Sequence, residues 1–116
     1  MRTGGATAQR EKRAHARVAV DMAVSCVRPD APPVSGTARD IGIGGVFIES
    51  AELPAFGTDV VVVGRLPGTE TELRLPGVVR WSNPDGFGVQ FGLLGARETH
   101  ALSALLHFAL GVHSPY

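Results

Sequence analysis

Between Val18 and Cys26 every second residue is apolar. Val18, Val20, Met22, Val24 and Cys26 alternate with Ala19, Asp21, Ala23 and Ser25. A period of two matches a β-strand with one buried face and does not build the apolar stripe of a helix. Much of the remaining chain carries the same signature in short pieces separated by Gly and Pro. Arg28 to Pro33 contains three prolines and is read as ending the first strand. Gly36–Ile41 and Val46–Ser50 read as strands joined by the turn Gly42-Ile43-Gly44-Gly45. Thr58–Leu66 is β-branched through its middle and reads as a strand buried on both faces. Leu73, Leu75, Val79 and Trp81 mark an alternating strand, with a bend or bulge expected at Pro76-Gly77. Asn83-Pro84-Asp85-Gly86 is a turn, and Phe87, Val89 and Phe91 give the last strand.

The period then changes. Leu102, Leu105, Leu106, Ala109 and Leu110 recur at helical spacing, which predicts an amphipathic helix over Ala96–Leu110 that stops at Gly111. About six short strands, 15 Gly and 8 Pro followed by one helix point to an all-β fold with a C-terminal helix, a small antiparallel barrel. At 116 residues the chain has room for one hydrophobic core, and 44% hydrophobic with 19% charged residues suits a folded globular domain. The expected organisation is a tail over 1–9, one domain over 10–111 and a tail over 112–116. Within the domain, 10–17 is a basic segment, 18–92 the barrel and 96–110 the helix.

Formal net charge is zero, so no overall basic field calls for a nucleic-acid partner. The charge is nevertheless uneven. Arg2, Arg10, Lys12, Arg13 and Arg17 face only Glu11 in the first 17 residues, a local basic patch suited to a small polyanion. Cys26 is the single cysteine and lies on the apolar face of its strand, so it reads as a packed thiol in a reducing, cytoplasmic setting. The N-terminus has no apolar core of a secretory signal, and no apolar run approaches the length that spans a bilayer.

Two short motifs carry chemistry. Arg13-Ala14-His15-Ala16-Arg17 places two arginines four positions apart, and each guanidinium offers a planar fork for phosphate oxygens or a face for a purine. Asp40-Ile41-Gly42-Ile43-Gly44-Gly45 offers a carboxylate that accepts the N1–H and N2–H donors of a guanine edge. Gly45 lets backbone approach a ligand or adopt positive φ. Taken singly, the arginines read as solvated cations and the glycine loop as a hairpin turn. The glycine loop is no P-loop or dinucleotide fingerprint, because neither Lys-Ser/Thr nor a long helix follows it. His100 and His107 stand roughly 10 Å apart along the predicted helix, too far for shared metal ligation. No nucleophile–base arrangement and no carboxylate pair supports catalysis. Trp81 and Phe87 flank the last turn, either as core residues or as an aromatic wall beside a purine.

The two motifs in this order, with Val46-Phe47-Ile48-Glu49, Gly86-Phe87-Gly88-Val89-Gln90-Phe91 and the terminal helix, resemble the PilZ domain family over roughly residues 10–110. The resemblance implies a six-stranded, split-barrel type of β-barrel and a non-catalytic receptor for the bacterial second messenger cyclic di-GMP. It also implies ligand contacts from Arg13, Arg17, Asp40, Gly42 and Gly45, with no cofactor beyond the ligand. Closure of the arginine segment over ligand would alter the surface seen by a protein partner, with motility, adhesion or polysaccharide output as the usual targets. The chain departs from the family pattern at Gly42, where the family has serine. A lost neutral hydrogen bond costs about 0.5–1.5 kcal/mol, roughly threefold to tenfold in affinity. The alternative is a PilZ-like interaction module, a monomer or homodimer, that docks a protein through its helix face, including Phe108 and Leu110, or through strand edges, without binding the nucleotide.

Overall fold

The computed structural model describes residues 17–65 and 70–109. Six strands form in the described residues: β1 (Arg17–Arg28), β2 (Ala31–Gly42), β3 (Gly45–Glu49), β4 (Asp59–Arg65), β5 (Glu72–Asn83) and β6 (Gly86–Phe91). One helix, α1 (Ala96–Ala109), follows. The strands close into an antiparallel barrel in the order β1-β2-β3-β6-β5-β4. Closure is made by β4 against β1, where Val24 faces Gly64 and Val27 faces Val61.

The alternation read in the sequence supplies the core. Met22, Val24 and Cys26 of β1, Val46 and Ile48 of β3, Leu73, Leu75 and Val79 of β5, and Phe87 and Val89 of β6 all point inward. Helix α1 packs on β1 and β5 and adds Leu102 and Leu105 to the same cluster. Leu106 is half-buried beside them, and Leu110 lies outside the described residues. Asn83 shapes the β5–β6 turn: its Oδ1 accepts the amides of Asp85 at 2.8 Å and Gly86 at 3.1 Å, as an Asx turn does.

Three local expectations need correction. The proline stretch does not end a strand at Arg28 and delay the next to Gly36. A two-residue turn at Pro29-Asp30 leads directly into β2 at Ala31. Pro32 and Pro33 are tolerated because the ladder slips there, between the pairs Cys26↔Val34 and Arg28↔Ala31, so the missing amides interrupt little pairing. Strand β4 is not buried on both faces. Val60 and Val62 enter the core while Val61 and Val63 are half-buried on the outside, since barrel closure leaves each strand one inner face. No bulge forms at Pro76-Gly77. Pro76 sits opposite Val61 in an unbroken β4 register. Its carbonyl accepts Gly92 N–H at 2.9 Å on the β6 side, just beyond the last residue of that strand.

The bulge in β5 lies further on. Val79 faces Val89 and Trp81 faces Gly88, which leaves Arg80 as the extra residue. A second bulge lies in β2, where Ala38 faces Ile48 and Asp40 faces Phe47, with Arg39 extra. Both bear directly on the site.

Candidate functional site

An extra residue in a strand reverses the side on which every later residue falls. In β2, Val34 and Ala38 are buried, and strict alternation would send Asp40 into the core. The bulge at Arg39 brings Ile41 in and leaves Asp40 half-exposed on the outer wall. Arg39 itself reaches Asp21 at 3.3 Å and Glu49 at 3.2 Å. In β5, Leu73, Leu75, Gly77 and Val79 are buried, and alternation would bury Trp81 next. The bulge at Arg80 turns the indole outward, half-exposed.

The barrel then lines these residues up. Asp40 pairs with Phe47, Phe47 with Gly88, and Gly88 with Trp81. They form one cross-strand row over β2, β3, β6 and β5. Gly88 sits between two aromatic positions and has no side chain to part them. The Phe47 and Trp81 rings stack over it with centroids 5.3 Å apart and planes 11° from parallel. A Cβ at Gly88 would collide with the indole of Trp81. The two alternatives for Trp81 and Phe87 therefore divide. Phe87 is a fully buried core residue, and Trp81 forms an outer aromatic wall.

Arg17 opens β1 opposite Gly42, two pairs beyond Ala19↔Asp40. From this diagonal position its Nε donates to Asp40 Oδ1 at 2.9 Å and its Nη2 to the Asp40 carbonyl at 3.5 Å. The side chains are 45% and 49% exposed, so water competes for both and the pair contributes at most about 1 kcal/mol. It is a contact that a ligand can open at small cost.

Arg17, Asp40, Gly44, Gly45, Phe47, Arg80, Trp81, Asn83 and Gln90 line one cavity of about 590 Å³, within the size range of small-molecule sites. Of the residues singled out from sequence, Arg17, Asp40 and Gly45 meet there. Gly42 is buried at the end of β2 opposite Arg17 and does not line the cavity. Arg13 lies outside the described residues, as do the two tails. Gly45 serves close approach rather than positive φ. A Cβ there would strike the Val89 carbonyl of β6, and among the described residues positive φ occurs at Gly57. Phe47, Gly88 and Gln90 entered the sequence reading as part of the family resemblance and Asn83 as a turn residue, none of them as a site residue, and Arg80 was not singled out. Strand register brings them to one wall.

The chemistry of this wall is mixed. A carboxylate and two guanidinium groups surround a flat aromatic face, a combination that suits a charged purine ligand. Among the described residues no group of three His, Cys, Asp or Glu side chains is placed to hold a metal ion.

The family profile of the PilZ domain matches residues 11–108. The chain belongs to the PilZ domain family. This family comprises receptor domains for cyclic di-GMP that are generally non-catalytic. Solved PilZ structures share the fold. The PilZ domain of CeSA from a cellulose-synthesizing bacterium is similar at a TM-score of 0.65 and 19% identity, over 84% of this chain and 97% of that one. The Bacillus subtilis inhibitor of motility (MotI/DgrA) is similar at 0.65 and 18% identity, over 86% of this chain and 52% of the other. No match is found among curated proteins. Among the described residues of this PilZ domain no helix is long and apolar enough to cross a membrane.

Proposed function

We propose that this PilZ domain, spanning residues 10–111, is a cytoplasmic, non-catalytic receptor for cyclic di-GMP. The observation that carries this reading is the row Asp40–Phe47–Gly88–Trp81 with Arg17 at its end, facing one cavity. Asp40 accepts the N1–H and N2–H donors of a guanine, which adenine cannot reproduce. A second purine face lies on the indole of Trp81, where stacking contributes about 1–3 kcal/mol. Arg17 leaves Asp40 and forks onto a phosphodiester, joined by Arg13 from the preceding segment. Gly44 and Gly45 keep this corner free of side chains. Closure of the arginine segment over ligand changes the surface offered to a protein partner, which is how a domain without catalysis transmits a signal. Motility, adhesion and polysaccharide output are the processes the family reading brings.

Trp81 is the single tryptophan of the chain, so its fluorescence reports on the proposed site alone. Titration with cyclic di-GMP should change that emission and release heat in calorimetry. Arg17→Ala and Asp40→Ala should each weaken binding by about tenfold or more, the worth of a hydrogen bond to a charged group. Cyclic di-AMP should bind less tightly. A flat titration by both methods at ligand concentrations around 100 μM, a range set by the affinity arithmetic of weak sites, overturns the proposal.

A second reading is an interaction module that has lost the ligand. Gly42 in place of serine and the Arg17–Asp40 pair, which engages the two groups with each other, favour it. A pull-down partner that is indifferent to cyclic di-GMP and to Arg17→Ala supports this reading. For docking through strand edges, Arg17–Ala23 of β1 lie outside its β4 pairing and Ala31–Gly36 of β2 outside its β3 pairing. Leu110 and the side chain of Phe108 lie outside the described residues.

A further inference from the structure

Among the described residues two arginines line the cavity, and they differ in how their charge is used. Arg17 is paired with the Asp40 carboxylate. Arg80, the extra residue of the β5 bulge, has no carboxylate partner among the described residues. Its Nε donates to the neutral Gln90 Oε1 at 2.9 Å, and its guanidinium carbon stands 5.9 Å from the ring centroid of Phe56. Arg28, Arg39, Arg65 and Arg74, elsewhere on the barrel, each meet a carboxylate. Among the described residues the cavity thus holds two cations against one carboxylate, and the surplus charge sits on Arg80.

The surroundings hold Arg80 in place without neutralising it. Gln90 is outward on the adjacent strand and fixes the Nε edge. Phe56 supports the guanidinium from the β3–β4 loop, which is tied to β5 by Gly57 N–H to the Val79 carbonyl at 2.8 Å and Val79 N–H to the Thr58 carbonyl at 3.0 Å. A guanidinium carries five N–H donors. With Nε taken by Gln90, the remaining four N–H donors have no acceptor among the described residues, and Arg80 lines the cavity beside Trp81. A fixed guanidinium fork with an open outer edge is the geometry that takes phosphate oxygens in bidentate fashion.

We infer that Arg80 is a further anion-recognising residue of the site, outside both motifs, which takes a phosphodiester of the ligand that Arg17 does not neutralise. Gln90 and Phe56 act as its positioning residues. This rests on the proposed cyclic di-GMP site, and the test separates the two.

The full chain and its Arg80→Gln, Arg80→Lys and Arg97→Gln variants are titrated with cyclic di-GMP at several salt concentrations. Arg80 is exposed, so each variant should keep the wild-type circular dichroism and Tm. Arg97 lies on α1 outside the cavity, and its substitution removes the same charge elsewhere. Arg80→Gln should weaken binding by about tenfold to a hundredfold and make Kd less dependent on salt. Arg80→Lys should recover the salt dependence and part of the affinity, and Arg97→Gln should match wild type. Wild-type binding with an unaffected Arg80→Gln overturns the role of Arg80 and leaves the receptor reading intact. An equal loss in Arg97→Gln, or a loss in Arg80→Gln with wild-type salt dependence, overturns the phosphate assignment. Absence of binding by wild type overturns the receptor reading and this inference together.

Discussion

Gly88 shows how much a single missing side chain contributes at the scale of one residue. The indole of Trp81 lies where a Cβ on Gly88 would be, so Gly88→Ala must push the ring off Phe47. Overpacking of this kind costs about 1–3 kcal/mol. The expected result is a shifted emission of the lone tryptophan, a lower Tm and weaker cyclic di-GMP binding, read by fluorescence, thermal melting and calorimetry. Cys26 is the opposite case, a residue with a packing role and little chemistry. It is fully buried, and burial pushes its pKa up from 9.0 to about 11. The native thiol therefore keeps its proton where the unfolded chain loses it. This contribution to stability is intact below pH 9.0 and declines as pH rises towards about 11. Alkylating reagents at pH 8 (a value set against the ordinary thiol range of about 8.5) should label Cys26 in denaturant and leave it untouched in the native protein. Denaturation midpoints measured across the alkaline range should fall in that window.

Strands and helix differ in how openly the sequence declares them. Alternation in β1, β5 and β6 and the helical recurrence of Leu102 and Leu105 were plain, because side-chain direction follows backbone period. The bulges were not. An extra residue at Arg39 or Arg80 is defined by two strands at once, and the one-strand pattern around Trp81 pointed into the core. The prolines of β2 misled for a related reason: Pro32 and Pro33 are compatible with a strand once the ladder slips beside them. Helix α1 makes its own prediction. Leu102 and Leu105 are fully buried against the barrel, so Leu102→Ala or Leu105→Ala should each cost about 2–5 kcal/mol. Urea unfolding should show the loss, while the folded fraction still binds nucleotide because neither side chain reaches the cavity.

Closure governs the whole molecule. The strand order interleaves distant parts of the chain: β3 pairs with β6, and β1 with β4. Such non-local pairing must be reached before it is rewarded, so folding in milliseconds to seconds is expected from topology. Stopped-flow refolding followed by Trp81 fluorescence measures it; relaxation within microseconds contradicts this topology. Closure is local: β1 meets β4 only over Val24–Val27. The strand order aligns the Asp40–Trp81 row, since β6 lies between β3 and β5 and carries Gly88 into the gap.

The strand-rich class, the C-terminal helix, the packed thiol and the interest of Arg17 and Asp40 are legible in the amino-acid order. Each of these is written in local periodicity or in side-chain chemistry. Tertiary structure alone decided that Asp40 and Trp81 face outward, that Phe47 and Gly88 stand between them, and that Arg80 shares their cavity. The physical reason is register: it is set where one strand meets another, and a single extra residue moves a side chain from the core to the site.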